Sequence, residues 1–253
     1  MARQAGIIKL EGTIGDVAFY KSQDGHLARS KGGVSADRIK NDSSFQRTRE
    51  NNNEFARAGA AGKLLRMVFR QYLQNGSDNR MVSRLTKEML KVVKADATNT
   101  RGQRNVLDGE VELLEGFEFN IGGMLSTTIF TPYVATIDRV TGALQIAVPA
   151  FSPAAAIAAP EGATHLKLIS SGAAVDFEGG TFEAVTAESD DIEIAPGQVA
   201  AQNLLNQLAA NSTHPLFLVL GIEFYQQVNG VNYSLKNGNY NALALVKVQG
   251  YAD

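Results

Sequence analysis

Between residues 43 and 96 the chain carries two runs of helical period, and these limit the fold more than any other feature. The first opens near Asp42 and Ser43, short polar side chains suited to capping a first turn. Phe55, Ala58, Gly62, Leu65, Phe69 and Tyr72 then recur at three- and four-residue steps, which predicts one buried stripe. Ala58 and Gly62 are small, so another backbone can come close at that point, although each helical glycine costs about 1 kcal/mol of propensity. Two readings stay open for this close-packing face: packing inside one subunit, or contact between subunits. Lys63, Arg66 and Arg70 fall in a narrow arc beside the stripe. Asn75-Gly76 reads as a left-handed C-cap, and Ser77 or Asp78 as the next N-cap.

In the second run Met81, Leu85, Met89 and Val92 form the apolar side. Arg80, Arg84, Lys87, Lys91 and Lys94 follow at steps of four, three, four and three, which confines five cations to an arc of about 80°. Only Glu88 interrupts them. Such an arc is either a solvated face or a surface that meets something anionic.

Charge divides the chain sharply. Residues 1–108 hold 20 Lys/Arg against 11 Asp/Glu, whereas residues 109–253 hold 4 against 15. The near-neutral total of −2 hides this polarity, which bears on association rather than on fold. The reading is an α+β chain in two parts: a basic hairpin and helical block over 1–108, and an acidic β-sandwich domain over 109–253. Residues 98–108, polar and aperiodic, are expected to be the hinge.

Ahead of the helices, residues 7–11, 16–22 and 26–31 read as strands, the last two forming a hairpin around Asp24-Gly25. One hairpin is marginal in water, so it needs cover from another sheet, the helices or a neighbouring subunit. After residue 108 strands are predicted at 116–120, 124–130, 133–139, 143–151, 165–170, 174–177, 181–185, 192–194, 215–227, 231–235 and 242–249. A helix is predicted at 199–210, and Asn229-Gly230 is a strong hairpin signal. The 217–225 run is the most apolar and is expected at the centre of a sheet. The sum predicts an N-terminal β-hairpin plus two-helix hairpin, followed by an antiparallel β-sandwich, immunoglobulin-like in general style.

The runs Gly-Thr-Ile-Gly-Asp-Val-Ala-Phe-Tyr-Lys-Ser-Gln-Asp-Gly from Gly12, Lys-Gly-Gly-Val from Lys31 and Phe-Gln-Arg-Thr-Arg-Glu-Asn from Phe45 resemble a group of uncharacterised conserved proteins of Bacteroidota. The Gly-Ile-Glu-Phe-Tyr-Gln run from Gly221 extends the resemblance over most of the chain. It implies a shared fold and carries no activity, cofactor or catalytic residue.

The residues offer little chemistry. No cysteine is present, which excludes disulfides, thiolate metal sites and cysteine nucleophiles. His26, His165 and His214 lie too far apart in sequence to read as a metal pair. The run from Ala58 to Lys63 resembles a phosphate loop but has the wrong glycine spacing, and Leu64 stands where Ser or Thr would bind magnesium. Glu188, Asp190, Asp191 and Glu193 do not match a calcium loop and read as a solvated acidic loop. No Gly-x-Ser-x-Gly elbow occurs, and tryptophan is absent, which disfavours a sugar cleft. No cofactor, metal or small-molecule substrate is expected, and the chain is not expected to be an enzyme.

No stretch approaches the roughly 20 apolar residues of a membrane span, and the first ten residues lack a signal-peptide core. Cytoplasmic synthesis without classical export is the expectation. The leading functional reading is a structural protein that self-associates into a tube, filament, shell or virion-like particle. The alternative is nucleic-acid binding by the cations of residues 80–94. An adhesin or carbohydrate-binding role rests on fold analogy alone.

Overall fold

The computed structural model describes residues 2–30, 32–235 and 239–251, and divides into two compact units, 1–49 and 50–253. Unit 1 is a small antiparallel sheet followed by a short helix. Strands β1 (Ala2–Arg3), β2 (Gly12–Ile14), β3 (Val17–Ser22) and β4 (Gly25–Ser30) lie in the order β1-β4-β3-β2. The β3–β4 loop is the two residues Gln23 and Asp24, one position earlier than expected, and Gly25 takes the positive φ that closes it. Residues 7–11 form no strand. The Gln4 side chain instead ties that loop, accepting from the Leu10 N–H and donating to the Leu27 carbonyl. Helix α1 (Ala36–Asn41) is capped by Ser35, whose hydroxyl accepts from the Arg38 N–H.

In unit 2, α2 (Gln46–Val68, of which residues from 50 on belong here) and α3 (Arg70–Leu73) are parted by a bend at Phe69. α4 is Met81–Ala95 and α5 is the single turn Leu125–Thr128. Then come β5 (Val134–Asp138), β6 (Ala143–Val148), α6 (Pro153–Ala156), β7 (His165–Asp176), β8 (Thr181–Glu188), β9 (Ile192–Glu193) and β10 (Gln202–Gln207). The last strands are β11 (Leu216–Val228), β12 (Val231–Ser234) and β13 (Ala242–Gln249). All sheets are antiparallel. Six strands follow β12-β11-β7-β8, with β13 also on β11 and β9 on β7, in a sheet that curls into a half-barrel. Three more form the order β10-β6-β5.

Alternation along β11 sends side chains to two cores. Phe217 and Val219 join Ile169, Leu243 and Leu245 beneath Leu65, Phe69, Leu85 and Met89 of the helices. Leu218, Leu220, Ile222 and Phe224 meet Leu144, Ile146 and Leu204 of the three-stranded sheet. Residues 216–222 are therefore buried throughout, as a strand covered on both faces must be. The helices and the six-stranded sheet share one core, so the change of charge near residue 108 falls inside unit 2.

The structure departs from the sequence reading at several points. Residues 202–207 pair with β6 as a strand where a helix was expected. Leu204, Asn206 and Leu208 point inward, and the buried Asn206, donating to Ser170, disguises the two-residue period in an alanine-rich stretch. Residues 124–130 hold α5 rather than a strand, because the Glu118 carboxylate accepts from the Leu125 and Ser126 N–H groups and starts a turn. Residues 116–119 run beside β13 with only scattered bonds, such as Phe119 N–H to Leu243 O. The two strands expected at 165–170 and 174–177 are one, β7.

The expected hinge is tied to α2 and Asp96 by side-chain hydrogen bonds. Asp96, 2% exposed, accepts from the N–H groups of Thr98, Asn99 and Asn105. Buried Glu54 accepts from the Gly102 N–H, and Arg57 donates to the carbonyls of Gly102 and Arg104. Polar side chains there fold the loop onto α2, which is why polarity misread as flexibility. Asn75 and Gly76 do not adopt the left-handed cap: neither has positive φ, and the Ser77 hydroxyl binds the Leu73 carbonyl instead. A Cβ on Gly76 would lie 3.1 Å from the Tyr72 carbonyl, a tight contact that favours glycine there. At the Asn229-Gly230 turn both residues do take positive φ, as expected for a two-residue hairpin loop.

Candidate interaction surfaces

The small-residue face of α2 is used inside unit 2. Ala58 is fully buried, and a Cβ on Gly62 would sit 3.8 Å from Leu85 of α4, an ordinary contact. Phe55 was expected in this stripe but is 57% exposed; Glu54, Ala58, Ala61, Leu65 and Val68 hold the buried side.

The predicted cations divide by position. Arg84 lies at the edge of its arc nearest the buried stripe and turns inward. It pairs with Asp78, donates to the carbonyls of Glu118 and Phe119, and stands 5.1 Å from the centre of the Phe117 ring. Asp78 also accepts from the N–H groups of Arg80 and Ile121. Burial alone would raise its carboxyl, but these bonds and the Arg84 charge outweigh it and hold the group below the usual 3.8. Lys91 pairs with Glu88 at 2.5 Å, and the Arg66 Nε donates to the Gly62 carbonyl. Lys63, Arg70, Arg80, Lys87 and Lys94 remain exposed. Lys63, Arg66 and Arg70 line one shallow cleft of about 430 Å³ floored by Met67, Leu73 and Met81.

The acidic loop is only half solvated. Glu188 and Asp191 approach the Lys167 ammonium at 3.4 and 3.7 Å, while the Tyr72 hydroxyl donates to Glu188. Desolvation, with the negative neighbours Glu188 and Glu223, pushes the Tyr72 phenol up to about 12. Sequence reading missed this cluster because Tyr72, Lys167, Glu188 and Glu223 come from four separate elements. Among the described residues no group of three His, Asp or Glu is placed to hold a metal ion, and no helix is long and apolar enough to cross a membrane. Comparison with known protein families, curated proteins and solved structures finds no match to this chain.

Unit 1 presents a different kind of surface. None of its described residues is buried; among the described residues the first buried one is Glu54. Cross-strand partners share a face, so Ile14 lies with Val17 and Ser30, and Phe19 with Ala28 and Ala2, an apolar patch bordered on the same face by Lys21 and His26. Tyr20, Leu27 and Arg29 occupy the other face, where the Arg29 guanidinium sits 5.7 Å from the Tyr20 ring. Ile14 is 63% exposed, and Ile7 and Ile8 in the adjoining loop are almost fully so. Both edges of this sheet, β1 and β2, are short strands.

Proposed function

We propose that this chain is a non-enzymatic structural protein that associates with copies of itself in a repeating assembly. The observation that carries the reading is unit 1: an antiparallel sheet with an apolar face and no core of its own. Exposed patches of this kind mark surfaces that are covered in the working state. The charge distribution favours copies of the chain as that cover, since the acidic residues 109–253 attract what the basic part offers. A heterologous contact between unlike surfaces repeats from copy to copy and builds filaments, tubes or shells. In this reading the two sheets of unit 2 form a sandwich, immunoglobulin-like in general style, and the Bacteroidota group shares the arrangement.

Sedimentation velocity over a wide concentration range, with electron microscopy of the same samples, tests the reading. Mass that grows with concentration and discrete particles are expected. A monomer at every concentration overturns it.

Nucleic-acid binding is the second reading, and one observation favours it: Arg80, Lys87 and Lys94 stay exposed on one helical face. Binding would be steeply salt-dependent with little sequence preference. Lys87→Glu with Lys94→Glu should abolish retention on duplex DNA at low salt; retention unchanged by the pair removes this reading.

A further inference from the structure

We infer that the apolar face of unit 1 docks on the outer face of the three-stranded sheet of a second copy. This rests on the self-association proposed above and names the surface that receives unit 1.

Unit 2 offers two broad outer layers, and electrostatics distinguishes them. The helical layer, residues 50–95, holds nine Lys/Arg against four Asp/Glu, while unit 1 holds nine against five. Like charge opposes their approach. The three-stranded sheet lies wholly within residues 109–253, the acidic part of the chain. Repulsion therefore turns unit 1 away from the helices and leaves the sheet as the layer that can receive it.

The sheet's own surface fits an apolar visitor. Its register places Val134, Ala147 and Asn203 in one row, Thr136, Gln145 and Leu205 in the next, and Asp138, Ala143 and Gln207 in the third. Val134 and Leu205 are 61% and 49% exposed, and Val140 in the adjacent turn is 69% exposed. Asp138 is the single charged residue among the nine, and it is committed locally: its carboxylate accepts from the N–H groups of Val140 and Thr141 and from the Thr141 hydroxyl. The amides are engaged as well, Gln145 with Asn203 and Gln207 with the Thr141 carbonyl. A face without free charge, with Asp138, Gln145 and Gln207 already bonded, loses less on being covered than a charged one would. Packed against the patch of Ile14, Val17, Phe19 and Ala28, it would bury both at the spacing of two stacked sheets, about 10 Å.

The absence of cysteine makes the test direct. Ile14→Cys and Leu205→Cys are made in separate chains, mixed, and oxidised mildly; Lys94→Cys serves as the reference position on the helical layer. The expected result is a disulfide between the chain altered at 14 and the chain altered at 205, at least tenfold above either self-pairing or pairing with the Lys94→Cys chain. In parallel, Val134→Lys with Leu205→Lys should weaken assembly of the full chain about tenfold while leaving its thermal unfolding unchanged. Three outcomes overturn the inference: self-pairing of the position-14 chains as the main product, disulfide closure at high dilution within a single chain that carries both Ile14→Cys and Leu205→Cys, or lysine variants that assemble like the unaltered chain. If the unaltered chain is a monomer, the proposed function falls and this inference with it. If it assembles but the 14–205 disulfide does not form, only the docking surface is wrong.

Discussion

The two large antiparallel sheets of this protein meet opposite fates. In unit 2 the six-stranded sheet is covered by helices on one face and by a second sheet on the other, and its central strand β11 contributes to both cores. In unit 1 a four-stranded sheet carries Ile14, Val17 and Phe19 on one face, and none of the described residues there is more than part-buried. The pairing rules are the same in both. What differs is the number of layers, and a sheet whose apolar face is uncovered gains little stability from its hydrogen bonds alone. Stability therefore resides in unit 2, and unit 1 is the part that needs company.

This contrast breaks most readily in the core. Phe217→Ala, at a fully buried position between helices and sheet, should cost about 3–5 kcal/mol. Phe19→Ala should lower the unfolding free energy of dilute protein, read by urea denaturation, by no more than about 0.5 kcal/mol. Equal losses from the two substitutions would mean that unit 1 is as well supported as unit 2.

A smaller effect separates the cations that hold the fold from those left for partners. Arg84→Met removes the bonds to Asp78 and to two backbone carbonyls and should cost about 2–3 kcal/mol. Lys87→Met, in the same arc but exposed, should fall within about 0.5 kcal/mol of zero by thermal unfolding.

Acid sharpens the same distinction. The carboxyls of Asp78 and Asp96 are held below 3.8 in the folded state. Stability from a depressed carboxyl is fully present above its unfolded pKa and is lost as pH falls through the lower folded value. Unfolding of unit 2 should therefore ease progressively below about pH 4, and Asp78→Asn should flatten that dependence. Tyr72 gives the alkaline counterpart. With its phenol raised to about 12, its contribution holds below pH 10 and declines as pH rises from 10 toward 12. One substitution is expected to be a gain: Gly62→Ala places a methyl at ordinary contact distance from Leu85 and should stabilise by about 1 kcal/mol, read as a higher urea midpoint.

How much of this was legible depended on whether the signal was local. The two helical stripes, the β3–β4 hairpin, the Asn229-Gly230 turn and the apolar run of β11 were all visible, because period and turn chemistry are written in adjacent residues. β10 was not, since a buried asparagine bonded to Ser170 on another strand breaks the apolar alternation. The 98–108 loop was misjudged because its order comes from Asp96, Glu54 and Arg57, two of them more than forty residues from their partners. For the same reason the cation arc could be counted from sequence, but not the inward turn of Arg84 toward Phe117 and Asp78. The apolar patch of unit 1 is intermediate: the need for cover was readable from the hairpin, and the face that needs it follows only from the register.

The central claim is that unit 1 holds copies together while adding little to the fold of its own chain. It is tested most directly by sedimentation velocity of the unaltered protein beside Ile14→Asp, with urea denaturation of both. The account predicts concentration-dependent assembly of the unaltered chain, a monomer for the variant, and the same denaturation midpoint. Unaltered protein that stays monomeric, or a variant that assembles equally well, would contradict it.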